Sequence, residues 1–461
     1  MLKNIKKIHF VGIGGVGMSG LALYLADRGY AVSGSDICES SITKNLSLHG
    51  IKFFKTHLSQ NVGAAEALVY SPCITDKNPE IACAKQKDLP MIKRGELLNF
   101  ILDQNDSIAI TGSHGKTTTS ALCSCIFIAG KRKPTAMVGG ELNAYGTNYF
   151  SGNSLVITEL DESDGTFLES NPTNIVITNI DKEHLDYFKN MQTIISKFKV
   201  YLKKLSDNGS NIFYNIEDKT SSLVIKSIKK TNSKIFSYGL KKTANYYATD
   251  IIYKQWGTTF EVWKCGKHLG RINSNLMAEF NVRNVLAAVA VAVEHGLNFA
   301  DIQKGVANFK GVKRRFEVKL KRPDILVVED YAHHPTEIKV VLEIPKFYLK
   351  NLKRTIVIFQ PHRFSRTKFL ARDFAEALSL ADIIVLTDVY PAFEKQIRGV
   401  GIDLIAKKFK NPKKEVLVLD KNKIPKAIAS LAKKGDAILV LGAGNINAIC
   451  DELVKRLINK K

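Results

Sequence analysis

Apolar residues along this chain gather in short unbroken runs, each closed by a glycine turn or by a cluster of carboxylates, histidines and hydroxyls. A strand covered on both faces reads this way, whereas a half-exposed strand alternates. The first run, Ile8-His9-Phe10-Val11, passes into Gly12-Ile13-Gly14-Gly15-Val16-Gly17, then into small and apolar residues from Met18 to Leu25, then into Ala31-Val32-Ser33-Gly34-Ser35-Asp36. This predicts strand, glycine turn, helix and second strand. Leu68-Val69-Tyr70 closing on Ser71-Pro72 adds another strand, and Lys93-Arg94-Gly95-Glu96 a short entry into a helix. The same grammar restarts at Ile108-Ala109-Ile110, ahead of Gly112-Ser113-His114-Gly115-Lys116-Thr117-Thr118, and continues through the runs ending at Thr158 and Thr178. A third set comprises the runs 325–328, 355–359, 383–386 and 437–441, with helical stretches between them.

Strands alternating with helices build parallel sheets. The fold class is therefore α/β, in three domains: a Rossmann-like N-terminal domain over 1–105, a central P-loop-type domain with a mostly parallel sheet over 106–312, and a C-terminal Rossmann-like domain over 313–461. A length of 461 residues agrees, at roughly 150 residues per domain. Residues 207–273 read as an insertion of short strands and loops with Tyr246, Tyr247 and Trp256 as packing residues. An Ala-rich buried helix resumes after Asn281-Val282-Arg283-Asn284.

Charge changes the picture less than its size implies. The chain carries 67 Lys and Arg against 44 Asp and Glu, a net charge of +23, which invites a nucleic-acid reading. The excess is mostly Lys spread through every region, more typical of a solvated surface than of a groove, and no zinc-finger spacing or RNA-binding aromatic motif accompanies it. Nucleic-acid binding is not expected, whereas a positive field favours polyanionic small substrates. Seven scattered cysteines argue against a disulfide framework or zinc site. No secretory segment opens the chain, so a cytoplasmic protein without stable membrane insertion is expected.

The chemistry lies at the run ends. The first glycine turn, with Asp36 about 20 positions on, has the form that holds a nucleotide diphosphate; alone it would suggest a nicotinamide-dependent oxidoreductase. The second departs from the usual Walker spacing, which would place Gly where Ile110 stands. It keeps strand, glycine turn and helix, with Lys116 to neutralise phosphate and the Thr117 hydroxyl to face Mg2+. Glu159-Leu160-Asp161-Glu162-Ser163-Asp164 and Asp181-Lys182-Glu183-His184 close the next two strands, and Glu159 and His184 join Thr117 as candidate metal ligands. The third segment ends its strands in Glu329-Asp330-Tyr331-Ala332-His333-His334-Pro335 and in His362-Arg363-Phe364-Ser365-Arg366. Its arginines indicate a face for an anionic substrate.

Taken together, the motifs GIGGVGMSG (12–20), TGSHGKTTT (111–119), ELDESD (159–164), TNIDKEHLDYF (178–188), FKGVKRRFE (309–317), EDYAHHPTE (329–337), FQPHRFSRT (359–367) and DVYPAFE (388–394) closely resemble those of the Mur ligase family, in order and over essentially the full length. The short glycine-lysine loop looks like that family's own version. The resemblance implies ATP-dependent amide formation, closest to the members that join L-alanine to UDP-N-acetylmuramate in peptidoglycan synthesis. The runner-up is the related activity that attaches a recovered tripeptide to the same sugar nucleotide.

It further implies that Gly12, Gly14, Gly15, Gly17, Ser35, Asp36, Ser71 and Arg94 meet the UDP-sugar rather than NAD. Gly112, Ser113, His114, Gly115, Lys116, Thr117, Thr118, Asn281, Asn284, Arg315 and Asp330 would meet ATP, with Mg2+ among Thr117, Glu159 and His184. Tyr331, His333, Arg363 and Arg366 would meet the amino acid. Lys116, His184, Arg315, His333, His362, Arg363 and Arg366 form the expected catalytic set. The chain departs from the family at Phe280, where His usually precedes Asn281. A monomer or homodimer is expected.

Overall fold

The structure is a computed structural model that describes every residue except 164, 184, 229, 230, 255, 350, 393, 410–413 and 461. Three sheets organise it. The first runs, in spatial order, Lys52–Phe54, Ala31–Ser35, Lys7–Val11, Ala67–Tyr70 and Met91–Lys93, with every neighbouring pair parallel. The connections reverse direction beside Lys7–Val11, and a parallel sheet gathers ligands outside such a reversal. The first glycine turn leaves that strand.

The second sheet has ten strands. Ser107–Thr111 lies between Asn174–Ile177 and Val156–Glu159, parallel to both. Three carboxyl ends, at Thr111, Glu159 and Ile177, therefore open on one edge. Thr147–Phe150, at one margin, is antiparallel to its neighbour. The stretch 207–273 is not an insertion: Asn211–Asn215, Ile235–Gly239, Tyr246–Lys254, Gly257–Lys264 and Lys267–Ser274 extend this same sheet. In Tyr246–Lys254 the first three residues are buried and the rest alternate, so the run carries no continuous apolar signal. Tyr246 and Tyr247 are buried, as expected of packing residues.

The third sheet orders Glu317–Arg322, Ile325–Asp330, Asp436–Leu441, Arg354–Phe359, Ile383–Leu386 and Glu415–Val418, parallel apart from the first pair.

The chain divides into two compact units. One holds residues 1–251, 259–274 and 279–310; the other holds 252–258, 275–278 and 311–461. The expected boundary at 105 thus separates two sheets within one unit, because those sheets share a core. Gly20, in the helix Val16–Ala26, would bring a Cβ within 3.3 Å of Met137 of the second sheet. The Tyr149 hydroxyl donates to Asp27 Oδ2 at 2.5 Å. In the other unit Trp256 stands edge-on to Tyr348 at 4.7 Å, with Lys321 Nζ 3.0 Å from its ring. Among the described residues no helix is long and apolar enough to cross a membrane.

Candidate active site

Gly12 has a φ of +81°, and a side chain there would lie 3.2 Å from Ser71 Cβ. Only glycine takes that position without strain. The Gly14 N–H donates to Asp36 Oδ2 at 2.9 Å, and Cys38 N–H donates to Asp36 Oδ1 at 3.1 Å. Gly17 faces Arg94, whose Nη1 lies 3.0 Å from the position of a Cβ. Gly15 is less crowded, the nearest atom to its Cβ position being 3.6 Å away. Gly12, Gly14, Gly15, Gly17, Asp36, Ser71 and Arg94 thus surround one turn.

Ser35 does not present its side chain there. It is fully buried, and its hydroxyl donates to Glu80 Oε2 at 2.6 Å and lies 2.9 Å from His57 Nδ1. Side chains alternate along a strand, so with Asp36 turned to the loop Ser35 turns inward. What Ser35 gives the turn is its carbonyl, which accepts the N–H groups of Gly12 and Ile13 at 2.8 and 3.0 Å. Burial alone would raise the Glu80 carboxyl. Hydrogen bonds from His9, Ser35 and Asn61 outweigh it and bring the pKa down to about 2, because each bond favours the charged form.

The second glycine turn is held from three sides. Gly112 has a φ of +123°, and a Cβ there would lie 2.3 Å from Thr178 Oγ1. Its N–H and the Thr111 hydroxyl each donate to Glu162 Oε1 at 2.5 Å. Lys116 Nζ donates to Glu162 Oε2 at 2.8 Å and also to the Gly112 carbonyl. Burial opposes the Lys116 charge, but Glu162 outweighs it and raises the ammonium pKa. On the opposite flank Ser113 N–H donates to the Asn179 carbonyl at 3.1 Å and His114 N–H to Asn179 Oδ1 at 3.0 Å. His114 Nε2 lies 3.1 Å from Asp181 Oδ2.

The helix Lys116–Ala129 starts at this turn, and its first N–H groups have no partner within the helix. Such a start binds anions. Thr117 Oγ1 donates to Glu159 Oε2 at 3.0 Å, and Glu159 Oε1 accepts Ser120 Oγ at 2.8 Å and Gly139 N–H at 2.6 Å. A hydroxyl and a carboxylate this close form an oxygen donor set suited to a hard divalent cation. His184, the third expected ligand, lies outside the described residues. Asn284 borders the loop, its Oδ1 2.7 Å from the Gly115 Cβ position, and its Nδ2 donates to Asn281 Oδ1 at 3.2 Å. Thr118 occupies the first turn of the helix, partly exposed.

In the other unit, the expected amino-acid residues stand side by side. Tyr331 and His333 are 5.3 Å apart between ring centres, His333 and His362 5.8 Å, and His362 stacks on Tyr390 at 5.6 Å. Arg366 Nη1 lies 3.3 Å from His362 Nδ1. Burial, then His333 and the arginines 366, 363 and 314, lower the His362 pKa to about 2. This imidazole is neutral at physiological pH. Arg363 has a φ of +72°, and its N–H donates to the Tyr390 carbonyl at 2.8 Å.

Both oxygens of Asp330, a residue expected at ATP, also bind the chain's own backbone. They accept Phe316 N–H at 2.6 Å and Ala332 N–H at 2.7 Å, and burial raises the carboxyl to about 6. Of the two arginines in FKGVKRRFE, Arg314 is tied down, donating to the carbonyls of Gly442 and Gly444 at 2.7 and 3.0 Å. Arg315 is more exposed, with its guanidinium 5.1 Å from the Tyr331 ring.

Sequence reasoning missed Glu162, Asn179, Asp181 and Tyr390 as individual site residues. All four stand inside motifs already singled out, but which carboxylate faces Lys116 depends on how the turn after Val156–Glu159 folds.

A parallel sheet that opens a glycine-lysine-threonine turn among carboxylate strand ends, next to a sheet with a second glycine turn, is the layout of a nucleotide-dependent enzyme. The chain belongs to the Mur ligase family. Its catalytic-domain description matches residues 7–105, its middle domain 110–292 and its glutamate ligase domain 314–444. The chain is 41% identical over 460 residues to UDP-N-acetylmuramate--L-alanine ligase of Geotalea daltonii, covering 99% of each, and 39% identical over 456 residues to the protein of the same name from Aquifex aeolicus, covering 99% of this chain and 98% of that one. It is similar in structure to UDP-N-acetylmuramate-alanine ligase of Thermotoga maritima, with a TM-score of 0.83, 31% identity and coverage of 99% of this chain and 100% of that chain.

Proposed function

We propose that the chain joins L-alanine to the lactyl carboxylate of UDP-N-acetylmuramate, with conversion of ATP to ADP and phosphate, through an acyl phosphate. The observation that carries this reading is the second glycine turn. There Lys116, held by Glu162, stands at a helix start suited to a polyphosphate, in a chain about 40% identical along its whole length to relatives that bear the name of this activity.

The barrier is electrostatic, since a carboxylate must attack a phosphoryl group that already carries negative charge. Lys116 neutralises the β- and γ-phosphates, and the N–H groups at the helix start orient them. Thr117 and Glu159 would hold Mg2+, with His184 as the third ligand; the ion would add charge neutralisation at the same phosphates. The first glycine turn and Arg94 hold the diphosphate of the sugar nucleotide. Asn281 and Asn284 border the ATP region. In the other unit, Arg363 and Arg366 supply donors for the α-carboxylate of L-alanine, with Tyr331 and His333 beside them. His362, kept neutral, offers hydrogen bonds without adding charge. The reaction is placed in the cytoplasm, where ATP is supplied.

The test is phosphate release from Mg-ATP and UDP-N-acetylmuramate with L-alanine, glycine, L-serine and the L-Ala-γ-D-Glu-diaminopimelate tripeptide in parallel. Release that requires both the sugar nucleotide and L-alanine is the expected result. Preference for the tripeptide would replace the reading by its runner-up, and turnover with none of them would overturn it.

A further inference from the structure

Two consecutive carboxylates, Asp161 and Glu162, follow the strand Val156–Glu159, and each holds the cation of a different glycine turn. Asp161 Oδ2 accepts Arg94 Nη2 at 2.9 Å, and Arg94 presents its other terminal nitrogen to Gly17 of the first turn. Glu162 Oε2 accepts Lys116 Nζ at 2.8 Å, while Glu162 Oε1 takes the Gly112 N–H of the second turn. The turn that carries Glu162 is braced on its far side, since Asp161 Oδ1 accepts the Ser163 N–H at 3.0 Å. All of these residues belong to one compact unit.

From this geometry we infer that the Asp161-Glu162 turn is a positioning element that couples the sugar-nucleotide site to the ATP site. The inference rests on the assignment of the two glycine turns made above. An Arg or Lys side chain is costly to order. When a diphosphate orders Arg94, Asp161 is fixed, and with it the backbone that carries Glu162 and sets the direction of Lys116. The second nucleotide then meets a turn whose ordering cost has already been met, which is positive coupling without any large movement.

The alternative is that the Arg94–Asp161 pair only stabilises the fold. Its side chains are 19% and 41% exposed, and pairs of that exposure contribute little to stability. Geometry, rather than stability, is then what the pair supplies. Asp161 and Glu162 act through Arg94 and Lys116 and are positioning residues, not catalytic ones.

The experiment measures binding of UDP-N-acetylmuramate by calorimetry, with and without a saturating non-hydrolysable ATP analogue and Mg2+, in the wild type, D161N and D161E. In the wild type the analogue should tighten sugar-nucleotide binding by about fivefold or more, the lower end of typical coupling. In D161N the ratio should fall towards one, with each ligand still bound alone and the melting temperature little changed, and D161E should recover part of the ratio. Full coupling in D161N, or no coupling in a wild type that binds both ligands, would overturn the inference. A wild type that binds neither ligand would instead overturn the assignment of the two turns.

Discussion

The two glycine turns of this enzyme share a plan and differ in where the charge comes from. Each leaves a buried parallel strand, and each has a carboxylate on one of its own N–H groups, Asp36 on Gly14 and Glu162 on Gly112. The second turn contains its cation, Lys116, held by a buried ion pair. The first contains none and borrows Arg94 from a helix more than seventy positions further along the chain. Their foundations differ as well. Under the first lies Glu80, satisfied by His9, Ser35, Asn61 and His57. On the assignment proposed above, the turn that would hold a triphosphate while its terminal bond breaks carries its own charge, and the one that would only bind has charge brought to it.

That contrast can be broken at its strongest point first. Lys116→Ala should lower phosphate release by about a thousandfold, or ~4 kcal/mol, while calorimetric affinity for UDP-N-acetylmuramate stays within about twofold. Loss of sugar-nucleotide binding in a variant with wild-type circular dichroism would mean that the turns do not divide the labour as described.

Next in size is the acid behaviour of the first foundation. Because the Glu80 carboxyl is depressed in the folded chain from 4.5 to about 2, its contribution is present above pH 4.5 and is lost as pH falls from there towards 2. At full extent that is about 3 kcal/mol. Thermal melts between pH 5 and pH 3 should fall more steeply for the wild type than for Glu80→Gln, and parallel curves would count against this assignment.

Smaller again is the steric difference between glycines. Gly112→Ala meets Thr178 at 2.3 Å in a left-handed conformation and should cost about 2 kcal/mol in urea denaturation. Gly15→Ala, whose nearest neighbour is 3.6 Å away, should cost well under 1 kcal/mol. Equal costs would show that the two turns are equally tight.

Much of this was legible in the sequence, for identifiable reasons. Continuous apolar runs mark strands buried on both faces, and glycine, lysine and threonine at a helix start announce phosphate chemistry wherever the rest of the chain goes. The inward turn of the Ser35 side chain was not legible because a one-residue step along a strand changes which face a side chain occupies, and no pattern at the end of a strand fixes that step. The backbone bonds of Asp330 were hidden for a related reason: a carboxylate at a strand end can serve a ligand, its own backbone or both, and only the fold of 314–316 and 332 reveals the second. The Glu162–Lys116 pair, the borrowed Arg94 and the stack of Tyr390 on His362 each depend on residues distant in sequence. The strands over 207–273 read as an insertion rather than as part of the central sheet because they lie towards its margin, where half-exposed positions dilute the apolar signal.

The bare face of Gly20 against Met137, with Tyr149 tied to Asp27 and the Asn148 side chain donating to the Val16 carbonyl at 3.3 Å, bears on how such enzymes can be recombined. A hybrid that grafts a relative's first hundred residues onto this chain would inherit one half of a fitted seam and clash with the other. Graft points after residue 310 leave that seam intact, so transplanting the two glycine turns together is the exchange this architecture tolerates.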